Sequence, residues 1–156
     1  MKNKAFAAIV TLAACLVLPL SAKEDAPRGF TPISKLADAQ GKAEGKKLIA
    51  LFVHGSNDTC PHAAAAMENG GKAVGSGAVK VFARAETIKS LDGSAFPAVL
   101  KERIQKGFTT GASVTLVVFS PDMSKIIVEA DREQLENEKH VKELKKTLQE
   151  AKLALK

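Results

Sequence analysis

Three side chains able to do chemistry near neutral pH, His54, Cys60 and His62, fall within nine positions of one another. Cys60-Pro61-His62 precedes Ala63, Ala64, Ala65, Ala66 and Met67, a run of strong helix formers. Proline stands at the first helical position, where its missing N–H costs nothing. Cys60 therefore sits at the mouth of a helix, where unpaired first-turn amides and the positive dipole end favour a thiolate over a thiol. His62 can add positive character beside it. Imidazole and thiolate are also the ligands that copper and zinc prefer, so His54, Cys60 and His62 form an alternative, metal-handling set, although their spacing matches no established zinc pattern. Asp58 fits turn chemistry before a helix, and His140 fits the solvated face of a charged helix. No glycine-rich phosphate loop meets the helix, so no nucleotide or other cofactor is implied.

The elements that must position these residues follow from periodicity. Leu48 to Val53 is an unbroken apolar run, expected as a strand buried on both faces, and His54 to Thr59 breaks it. Upstream, Ile33, Leu36, Ala37 and Ala43 recur at helical spacing. Downstream, Asn69, Gly70, Gly71, Gly75 and Gly77 read as a flexible connector. Ala78 to Ala83 reads as a strand with Val79, Val81 and Ala83 on one face and Lys80, Phe82 and Arg84 on the other. Pro97 to Gln105 predicts a helix ended by Gly107. Val114 to Phe119 and Lys125 to Val128, joined by Ser120-Pro121-Asp122, predict a hairpin. Val141, Leu144, Leu148, Ala151 and Leu155 step by three and four through a closing helix from about Arg132 to Lys156. Helix crossovers between the first strands imply parallel pairing and the hairpin implies antiparallel pairing, so the expectation is an α/β sandwich with a mixed four-stranded sheet flanked by helices.

Residues 1–22 read as a signal peptide: Lys2 and Lys4 form a basic start, Ala5 to Leu18 is uncharged and mostly apolar, and Pro19 to Ala22 supplies a break and a small residue for cleavage. Leu12-Ala13-Ala14-Cys15 also resembles a lipobox, which would anchor the protein through an acylated Cys15. Residues 23–29 form a charged lead-in expected to be disordered, and residues 30–156 the domain. Both readings of the leader place the domain in the periplasm or outside the cell, with no membrane contact beyond the leader. The chain contains two cysteines; with Cys15 removed or acylated, Cys60 is a single thiol in an oxidising compartment, free to link two copies as a dimer. The net charge of +6 falls to +4 when Lys2 and Lys4 leave with the leader, and the chain has no tryptophan or tyrosine. Its lysines alternate with acidic residues, so neither a basic stripe nor a stacking platform for nucleic acid exists.

A buried strand, a Gly55-Ser56 break, a cysteine with proline and histidine at a helix start, and a closing hairpin and helix together resemble the thioredoxin-like superfamily. The likeness spans roughly Phe30 to Lys156 and is closest to exported members with a Gly-Ser-Asp-Trp-Cys-Pro-x-Cys type segment, which stands here as Gly55-Ser56-Asn57-Asp58-Thr59-Cys60-Pro61-His62-Ala63. The resemblance implies a three-layer sandwich, a role in cell redox homeostasis, and Cys60 as nucleophile with His62 beside it, Pro61 being structural. It also implies, as partners, thiol-containing envelope proteins or low-molecular-weight thiols.

The chain departs from the family at two positions. Ala63 stands where the resolving cysteine of a Cys-Pro-His-Cys site belongs, so a dithiol cycle cannot close within one chain. Val114 stands where the family places a cis-proline, and a trans bond is expected there because a cis bond at valine costs about 3 kcal/mol. Thr59 also replaces the family's tryptophan. Two functions remain open on this reading, a non-catalytic binding or scaffold domain and a monothiol redox domain working through Cys60.

Overall fold

In the computed structural model, residues 26–56 and 59–155 are described. The leader, with both readings of residues 1–22 and Cys15, and Asp58 lie outside the described residues. None of the described helices is long and apolar enough to cross a membrane. Within the charged lead-in, Phe30 N–H donates to the Pro27 carbonyl at 3.0 Å, and this turn delivers the chain to the sheet.

The sheet has five strands, one more than expected: β1 (Thr31–Pro32), β2 (Leu48–His54), β3 (Ala78–Arg84), β4 (Val114–Phe119) and β5 (Ile126–Asp131), in the order β1-β3-β2-β4-β5. The extra strand is two residues long, too short to show alternation, and its proline is tolerated because β1 is an edge strand paired only with β3. β3 is parallel to both β1 and β2, whereas β4 is antiparallel to β2 and β5. The mixed sheet between helical layers expected from the sequence is thus present.

β2 is the centre of the molecule. All seven of its residues are buried, as a continuous apolar run requires when helices cover both faces. Alternation sends Ile49, Leu51 and Val53 to one face, where α1 (Leu36–Ala43) and α3 (Ala98–Gln105) pack over Val81, Val117 and Phe119. It sends Leu48, Ala50 and Phe52 to the other, where α2 (Pro61–Val74), α4 (Arg132–Glu136) and α5 (Glu138–Leu153) pack over Leu116 and Val118.

Two expected elements changed at their ends. The helix that begins after Cys60 runs through Asn69, Gly70 and Gly71 to Val74, so the first part of the expected connector is helical. Gly70 is buried there, and a Cβ on it would lie 2.8 Å from Phe52 Cε1. The glycine lets helix and sheet approach, and that contact overrides its poor helix propensity. The closing helix is two helices. Asp131 accepts from Gln134 N–H at 2.9 Å while Gln134 Oε1 accepts from Asp131 N–H at 3.0 Å, a capping box that starts α4. Asn137 then caps α5 by accepting from Lys139 N–H at 3.0 Å.

Candidate functional site

The site forms where β2 ends and α2 begins. His54 is the last residue of β2 and is 7% exposed. Gly55 follows, its N–H donating to the Ser113 carbonyl at 2.9 Å. A Cβ on Gly55 would lie 1.9 Å from the Gly111 carbonyl oxygen, so only glycine permits the loop before β4 to close on the loop after β2. Gly111 itself has φ +78°, in the left-handed region that glycine enters at no steric cost. This pair of glycines holds Val114, the register partner of His54, beside the break in the chain. No cis peptide bond occurs among the described residues, and the bond before Val114 is trans.

Cys60 is the N-cap of α2 with extended backbone, φ −73° and ψ 116°. Its carbonyl accepts from Ala64 N–H at 3.1 Å and Pro61 opens the helix. The thiol is half-buried against the cluster on the α2 face of the sheet and makes no side-chain capping bond to the first-turn amides.

The other predicted residues diverge from the thiol. Ala63 is fully buried and faces the sheet. His62 Nδ1 lies 2.8 Å from Glu136 Oε1 of α4, with the imidazole largely exposed. His62 shares the α4 side of α2 with Asn69, seven residues on, whose Nδ2 donates to the Leu135 carbonyl at 3.0 Å. His62 thereby joins α2 to α4. His54 Nδ1 lies 2.6 Å from the Gly55 carbonyl oxygen, so that nitrogen carries the proton. His54, Cys60 and His62 do not converge, and among the described residues no group of three or more His, Cys, Asp or Glu is placed to hold a metal ion. His140 is exposed on α5, as expected.

The structure adds a feature to this end of the sheet. A cavity of about 350 Å³ opens between α2 and strands β2 and β3, lined chiefly by Phe30, Ala64, Met67 and Phe82, with His54 and Arg84 at the strand ends. His54 and Arg84 are register partners, as are Phe52 and Phe82. Phe30 packs edge-on to both phenylalanines, with ring centroids 5.2 and 6.4 Å away. The cavity exists because the first turns of α2 are alanines: Ala64 offers a methyl group where a larger residue would cover the aromatic floor. The alternation of β3 already placed Phe82 and Arg84 on one face. What no sequence signal supplied was the return of Phe30 to the same face through β1.

No family model, no curated protein and no solved structure matches this chain.

Proposed function

We propose that the chain is an exported thioredoxin-like domain that serves as a non-catalytic binding module and not as a dithiol oxidoreductase. The observation that carries this reading is the environment of position 63. Ala63 is fully buried against the sheet, and Cys60 is the cysteine among the described residues. A mixed disulfide formed at Cys60 has no neighbouring thiol to release the trapped partner. The parallel strands, the antiparallel hairpin and helices on both faces support the thioredoxin-like frame that the resemblance implies, and the helix starting at Cys60-Pro61 stands at the equivalent place along the chain.

The half-exposed position of Cys60 at the start of α2 favours one second reading, a monothiol role in which an external thiol resolves the mixed disulfide. Thiol-containing envelope proteins or small thiols would be the partners there, and a Cys60-linked dimer its oxidised resting form. Affinity capture with the mature protein and its Cys60→Ser variant separates the two. The binding-module reading expects the same partners on both proteins and no catalysed reduction of insulin by either. Partners that disappear with Cys60→Ser, together with alkylation at pH 7 faster than that of free glutathione, would replace it with the monothiol reading.

A further inference from the structure

We infer that the cavity between α2 and the β2/β3 strand ends is a binding site for a small carboxylate with an apolar, aryl or short alkyl, body. Its volume of about 350 Å³ lies at the small end of the range of roughly 300–1,000 Å³ typical of ligand pockets. The floor and walls are apolar: Phe82 is buried on the sheet, Phe30, just before β1, covers it, and Met67 and Ala64 close the helix side. His54 and Arg84, adjacent by register, stand at the strand ends, and Glu68 stands on the α2 side.

The charge at that end selects the ligand. The Arg84 guanidinium lies over Phe82, 5.7 Å from the ring centroid, which sets it against the apolar floor. A guanidinium has five N–H donors, so it can grip a carboxylate while keeping other interactions. Lys80, outside the lining, lies 5.9 Å from the Phe30 ring centroid. Glu68, the acidic residue of the lining, is held by Lys72 at 2.6 Å, and that pairing offsets its charge. Both aromatic faces are thus already approached by cations, which disfavours a cationic guest and favours an anionic one with a hydrocarbon body. The site needs nothing from the thiol, so it stands whether or not Cys60 reacts.

Hydrocinnamate is a suitable probe, with hydrocinnamyl alcohol as its neutral counterpart. Titrations of the mature protein followed by amide chemical shifts should move residues of α2 and β3 with hydrocinnamate, and the alcohol should bind at least tenfold more weakly. Ala64→Leu fills the cavity from an exposed helix position and should weaken binding at least tenfold. Ala65→Leu, one residue on and outside the lining, should leave it unchanged, and circular dichroism checks that both variants keep their helix content. Arg84→Gln should abolish the preference for acid over alcohol. Absence of saturable binding, equal affinity for acid and alcohol, or binding indifferent to Ala64→Leu would each overturn the assignment.

Discussion

The two faces of the sheet are built on different plans. Against α1 and α3 the strands present Ile49, Leu51, Val53, Val117 and Phe119, and the space is filled further by Ile33, Leu100 and Met123, all essentially inaccessible. Against α2 the helix side is made of Ala63, Ala66, Gly70 and Ala73, with Val74 the one larger buried residue at its far end. Small residues bring that helix close at Gly70, but they cannot fill the space where the helix leaves the sheet. On one face large side chains close over the strands and leave a cavity of about 260 Å³ at the edge beside Phe96 and Ile104, and the other ends in the cavity of about 350 Å³ at the strand ends. The lesson is that large side chains close over strands, whereas small ones on a close-packed helix leave room at its end.

The contrast is most easily broken on the α1/α3 face. Phe119→Ala removes a fully buried ring and should cost about 3–5 kcal/mol in urea unfolding; a cost under about 1 kcal/mol would show that this face is not the closed core. The next largest effect is expected at Gly70. Its Cβ would meet the buried Phe52 ring at 2.8 Å, so Gly70→Ala should destabilise by about 1–3 kcal/mol in spite of alanine's better helix propensity. Asp131→Ala removes the capping box of α4, the helix that joins α2 through the His62–Glu136 pair, and should cost about 1 kcal/mol.

A smaller effect of opposite sign sharpens the comparison. Gly41 lies in α1 with open space where its Cβ would be, so Gly41→Ala should stabilise the protein by about 0.5–1 kcal/mol. Gly70 and Gly41, both within helices, should then respond in opposite directions.

The last expectation concerns pH. Asp122 accepts from the Ser120 hydroxyl at 2.6 Å and from Ser124 N–H at 3.1 Å, and these bonds lower its carboxyl from the ordinary 3.8 to about 2. A depressed carboxyl contributes stability that is present above the unfolded-state value and is lost as pH falls through the folded one. The stability difference between the native protein and Asp122→Asn, measured by thermal unfolding, should therefore be present at neutral pH and fade between about pH 4 and pH 2. This turn matters to the α1/α3 face because it presents Met123, buried at φ +55°.

Much of the frame was legible because it rests on local periodicity. The apolar runs Leu48 to Val53 and Val114 to Phe119 marked the two central strands, and Pro61 marked the start of α2. Three features were not legible. β1 is recognised only by its pairing with Val81 and Phe82. The helicity of Asn69 to Gly71 depends on Phe52, which is distant along the chain. The break at Asn137 had local signals, the Asp131/Gln134 box and the Asn137 cap, which the stronger apolar stripe of the closing helix obscured. At the site, spacing brought Cys60 and His62 to one helix start, but the pairing of His62 with Glu136 of α4 was not legible, because it joins positions 74 residues apart.

The amino-acid sequence by itself determined a cysteine at a helix mouth, alanine and not cysteine three residues on at Ala63, and strands apolar enough to require helices on both sides. These follow from residue identity and short-range geometry. Only the tertiary structure decided that His62 pairs with Glu136, that Gly55 and Gly111 clamp two loops together, and that Phe30, Phe82 and Arg84 enclose a cavity beside α2. Each of those depends on residues remote in the chain meeting across the sheet. Their contacts are set by strand order and register, which no local pattern encodes.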